Sequence, residues 1–106
     1  DTTVANDDSS IPSISSSLVM NLSPNPITKS AQYLNVDLKG SALNKGDQIT
    51  LEIFNIKGQS ILNETYQAQT GPRTLQISTS SFSNGVHICR VTSGQNKTIS
   101  KFTVIK

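Results

Sequence analysis

At 106 residues the chain has room for one domain with a modest core. Its apolar fraction, 34%, is low for a compact fold and there is no Trp, and much of the deficit falls at the front of the chain. The net charge of +2 splits into −3 over the first 22 residues and +5 over the rest, where nine scattered lysines and arginines with few aromatics argue against nucleic-acid binding.

Residues 1–17 read as a Ser/Asp-rich linker too polar to bury itself, with six serines in residues 9–17 alone. Asp7 and Asp8 lack the spaced carboxylates and turn glycine of a calcium loop. The domain is expected over residues 18–106. Its first strand is Leu18-Val19-Met20-Asn21-Leu22, stopped by Ser23-Pro24-Asn25-Pro26. Each proline fixes its own φ, holds the residue before it out of the helical region, and cannot donate a ladder hydrogen bond.

Tyr33-Leu34-Asn35-Val36-Asp37-Leu38 is the cleanest alternation, with Leu34, Val36 and Leu38 inward. A polar loop follows over residues 39–48. Ile49, Leu51 and Ile53 then share a core face, Asn55-Ile56-Lys57-Gly58 turns, and residues 59–66 return as a partner strand. Residues 73–78 contribute Leu75 and Ile77. Residues 79–85 lead back with Phe82 as an apolar plug. The closing hairpin turns at Ser93-Gly94-Gln95-Asn96. In its first run His87, Cys89 and Val91 share one face; in its second, Phe102 and Val104 point inward while Lys101, Thr103 and Ile105 point out.

Seven short strands without helical periodicity predict an all-β antiparallel sandwich. Its core is expected to gather Leu34, Val36, Leu51, Ile53, Leu75, Ile77, Cys89, Val91, Phe102 and Val104.

The residues offer little to build catalysis from. The lone cysteine cannot form an internal disulfide, and Cys89 in an apolar run reads as a buried thiol. His87 and Cys89 lie on one strand face, but two ligands do not make a zinc site and the pair is poorly placed for a catalytic dyad. No enzyme activity, cofactor or metal is expected. No stretch reaches the ~18 consecutive apolar residues of a transmembrane segment. The front shows no basic-then-apolar leader, and its linker-like composition predicts the tail of a longer protein with its export signal upstream.

Four signals occur in order: Leu22-Ser23-Pro24-Asn25-Pro26; Leu51-Glu52-Ile53-Phe54-Asn55-Ile56-Lys57-Gly58-Gln59; the run from Ile77 through Phe82 into Gly85-Val86; and a Lys-bearing last strand ending at Lys106. Together they resemble the type A C-terminal sorting domain of the type IX (Por) secretion system of Bacteroidetes. That resemblance implies an immunoglobulin-like sandwich of seven strands. It implies a signal that takes an attached upstream cargo from the periplasm across the outer membrane to the cell surface or beyond. The partners implied are the type IX machinery and a cell-surface sortase that removes the domain and joins the cargo to an anionic lipopolysaccharide.

Pro24, Asn25, Pro26, Gly58, Gly85, Lys101 and Lys106 are the sorting-motif residues it marks. Each has a structural reading beside the functional one. The prolines end a strand, Gly58 allows positive φ, Gly85 allows close packing where the loop enters the strand, and the lysines keep an edge soluble. The resemblance departs at His87 and Cys89, where an aromatic is common, and the 39–48 loop looks long. The alternative is an Ig-like carbohydrate-binding or adhesion module of a surface enzyme, which would need a flat aromatic row. Tyr33, Phe54, Tyr66, Phe82 and Phe102 are the whole aromatic supply. A related sandwich in flagellar hook-capping proteins is a more distant alternative. For sorting, the final strand and its lysines are the expected determinant, and residues 9–17 the expected cleavage window.

Overall fold

A computed structural model describes residues 17–67 and 69–106. The expected linker, residues 1–17, and the expected cleavage window, residues 9–17, lie outside the described residues except for Ser17, whose carbonyl accepts from the Ala42 N–H (2.7 Å). Among the described residues eight strands form two packed sheets: β1 (Val19–Ser23), β2 (Ile27–Thr28), β3 (Tyr33–Lys39), β4 (Ile49–Asn55), β5 (Ser60–Tyr66), β6 (Arg73–Ser78), β7 (Gly85–Ser93) and β8 (Asn96–Ile105). One sheet has the order β1-β3-β6 and the other β2-β8-β7-β4-β5. Pairing is antiparallel except between β2 and β8. This is the expected all-β, immunoglobulin-like sandwich.

Alternation in the sequence becomes burial in the fold. On β3 the inward Leu34, Val36 and Leu38 are buried, and on β4 so are Ile49, Leu51 and Ile53. All ten expected core residues are buried, none more than 5% exposed, and Phe82 plugs its loop as expected. Each large side chain so removed from water contributes about 1.5–3 kcal/mol. The β4–β5 turn is closed by Asn55, whose Oδ1 accepts from the backbone N–H groups of Lys57 (2.9 Å) and Gln59 (3.0 Å). Gly58 takes φ 86° there, with open space around its α-carbon, so conformation alone calls for glycine.

Three features differ from the sequence reading. The 39–48 loop is not wholly polar: a short 3₁₀ helix, Ser41–Lys45, buries Ala42 and Leu43 against the core. Its isolated apolar pair is too short for a periodic signal. β2 is an eighth strand of two residues, pairing Ile27 with Val104 and Thr28 with Ile105. It is shorter than one period of alternation, and its partner lies at the other end of the chain. Gly85 is not closely packed, since a Cβ there would meet nothing within 4 Å; its φ of 130° is what requires glycine.

Candidate functional site

The Pro-Asn-Pro segment lies along the outer edge of the last strand. The two prolines bring no N–H to that edge, so the Asn25 side chain supplies the pairing. Its Nδ2 donates to the Lys101 carbonyl (3.3 Å), and its Oδ1 accepts from the Thr103 N–H (3.1 Å). Two residues later Ile27 is fully buried and pairs with Val104. One short segment therefore clamps β8 at its edge with Asn25 and joins its core side with Ile27. Both the Ser23–Pro24 and Asn25–Pro26 peptide bonds are cis.

Lys106 finishes the same strand. Its backbone N–H donates to Asn84 Oδ1, and its Nζ donates to the carbonyls of Thr79 and Phe82, each at 2.8 Å. This braces the 79–84 loop over the sandwich end and seats Phe82, whose ring lies 5.4 Å from Phe102 and 5.6 Å from His87. Lys101, opposite Ile88 on β7, instead extends into solvent. Gly85 opens β7 opposite Val104, and the Gly58 turn lies near Gly85 across a shallow cleft lined by Asn55, Lys57, Asn84 and His87.

The structure thus gathers Pro24, Asn25, Pro26, Lys101 and Lys106 along β8, and sets Gly85 and Gly58 at the end where Lys106 stops. All seven are exposed. Sequence reasoning did not anticipate Asn84 or the Asn25 clamp. The signal for the clamp was present: Asn25 is the one polar side chain between two residues that cannot donate from the backbone.

His87 and Cys89 stand inside. The His87 ring stacks on Phe102 at 5.3 Å and 15°, so it fills the place of an aromatic in the core. Its Nδ1 donates to the Gly85 carbonyl (3.2 Å), and its buried Nε2 has no hydrogen-bond partner among the described residues. Burial pushes the Cys89 thiol up to about 12, so it stays protonated at neutral pH and is a poor nucleophile. The aromatics form no flat row: Phe82 and Phe102 are buried, Phe54 lies under Arg90, Tyr66 lies under Arg73, and Tyr33 is on the other sheet. A sugar-stacking platform is therefore disfavoured.

The chain matches the family model described as secretion system C-terminal sorting domain over residues 21–106. It belongs to that family, the type IX sorting domains. The match runs from β1 to Lys106 and includes all seven motif residues. A search of curated proteins found no match. Among solved structures, the sorting domain is similar to dimeric latent PorU from Porphyromonas gingivalis, with 17% identity and a TM-score of 0.63. The likeness covers 83% of the sorting domain's chain but only 9% of the PorU chain, and it establishes the shared fold. The sorting domain is a type IX C-terminal signal, which directs export across the outer membrane toward the cell surface or the extracellular space. No helix among the described residues is long and apolar enough to cross a membrane.

Proposed function

We propose that residues 18–106 are the exported unit's terminal signal and that residues 1–17 link it to an upstream cargo in the same chain. The cargo passes through the periplasm, the type IX machinery recognises the folded domain, and a cell-surface sortase cuts within residues 9–17 and attaches the cargo at the surface. Pro24, Asn25, Pro26, Gly58, Gly85, Lys101 and Lys106 serve recognition by building and presenting the β8 edge and its end. The observation that carries this reading is the Asn25 clamp: it makes the Pro-Asn-Pro motif and the last strand one exposed structure.

The domain contributes no chemistry to the cut. A protease needs extended, unpaired backbone, and beyond Pro24 the chain is held by the clamp and by β2. The test fuses the 106-residue chain to the C-terminus of a periplasm-targeted reporter in a type IX-competent bacterium. The reporter should reach the surface only with the chain attached, and mass analysis should place its new C-terminus within residues 9–17. A reporter that stays in the periplasm would overturn the sorting role. A mature C-terminus beyond Pro24 would overturn the processing scheme.

A further inference from the structure

The two outward faces of the sandwich differ in kind. On the three-stranded sheet, polar side chains bond one another: Thr74 Oγ1 donates to Asp37 Oδ1 (2.6 Å), and Gln76 Nε2 donates to Asn35 Oδ1 (3.4 Å). Tyr33 at one end is that face's exposed large hydrophobic among the described residues. On the five-stranded sheet, the registers Phe54↔Ile88, Ile88↔Lys101, Arg90↔Ile99 and Val86↔Thr103 put an apolar band across three strands. Ile99 and Ile105 at its margin are 59% and 58% exposed. Diagonal neighbours in a sheet lie within side-chain reach, so Ile99, Ile88 and Val86 form one strip rather than isolated residues.

The charges on this face are unbalanced. Glu52 is its carboxylate among the described residues, and it is held by Arg90, whose Nε donates to Oε1 at 3.0 Å. Arg90 is also spent on the Phe54 ring, 5.1 Å away. Lys97 and Lys101 are exposed on the same face with no carboxylate within 4.0 Å among the described residues.

We infer that the outward face of the five-stranded sheet, centred on Ile99, Ile88 and Lys101, is the docking face of the domain. Its occupant is a protein partner whose surface carries an apolar strip bordered by carboxylates. An exposed apolar strip gains from being covered, and the unpaired lysines select a partner of opposite charge. The inference rests on the sorting-domain reading, since it names the face by which the domain is recognised.

The test uses the same full-chain reporter fusion. Ile99→Glu with Lys101→Glu should lower surface reporter at least tenfold while the purified variant keeps the wild-type melting temperature within a few degrees. Asn35→Lys with Gln76→Glu, on the opposite face, keeps an attractive pair across the register and should both fold and export normally. If the charge-reversed pair misfolds, Ile99→Thr with Lys101→Gln keeps β-compatible side chains and should show the same loss. Normal export by a folded Ile99/Lys101 variant, or equal loss from both faces, would overturn the inference while leaving the sorting function intact. Failure of the wild-type fusion to export would instead overturn the sorting reading. Purified wild-type fusion should not bind phosphatidylglycerol vesicles. Binding that the Ile99/Lys101 variant loses would assign the face to an anionic membrane and overturn the protein partner.

Discussion

Phe102 shows how one residue closes this core. It is 1% exposed, with Phe82 and His87 rings against it. Phe102→Ala should cost about 3–5 kcal/mol in denaturant unfolding, and a loss below about 1 kcal/mol would place the ring outside the interior. Cys89 makes a pH-dependent prediction. Its thiol is held from 9.0 up to about 12 by desolvation, so between those values the native state keeps a proton that the unfolded chain has lost. Stability must therefore fall as pH rises through that window. Urea midpoints should drop above about pH 9, and Cys89→Ala should shrink the drop. The half-buried Tyr66 hydroxyl, raised by desolvation and by its bond to Glu64, adds a decline of the same sign in both proteins. Below pH 8 the native thiol should resist alkylation that the unfolded chain undergoes.

At the scale of elements, the β4–β5 turn and the β8 edge carry the next two predictions. Gly58 at φ 86° has open space around it, so Gly58→Ala meets only a backbone penalty, about 1 kcal/mol, and Gly58→Asn a smaller one. Equal melting temperatures for the two variants would contradict this account. Asn25→Ala removes both side-chain bonds to β8. It should cost about 1–2 kcal/mol and speed amide exchange at Thr103, because the edge then has no partner until β2 begins. Unchanged exchange at Thr103 would mean that the clamp does not hold in solution.

For the whole molecule, the two end lysines divide their work. Lys106 ties the last strand to the 79–84 loop through two 2.8 Å bonds, whereas Lys101 touches no carboxylate among the described residues. Lys106→Ala should lower stability by about 1–2 kcal/mol, hence the melting temperature by roughly 5–10 °C. Lys101→Ala should stay within about 0.5 kcal/mol of wild type. A calorimetric scan that ranks them the other way would refute this division. An export defect from changing Lys106 alone would mix stability with recognition, while one from Lys101 would report recognition.

Along β3 and β4, period-two alternation alone determined the strand's existence and inward face, as at Leu34, Val36 and Leu38, whereas β5, with Ile61 and Leu62 adjacent, carries no such period. Burial on one side of a sheet imposes that pattern locally. The Asn55 turn was legible for the same reason, since its bonds close within four residues. The motif residues too were readable as types, but not what they touch. Asn25 meets Lys101 and Thr103 across 76 and 78 residues, and Lys106 reaches Thr79 and Phe82 across 27 and 24. Such contacts depend on how the two sheets stack and leave no local period. Only the tertiary structure could decide that the Pro-Asn-Pro break, beyond ending β1, grips β8 and starts β2. It alone decided that His87 serves as a core ring, and that of the two end lysines Lys106 is the one tied to a loop while Lys101 stands exposed, because those outcomes depend on which loop closes over the end of the sandwich.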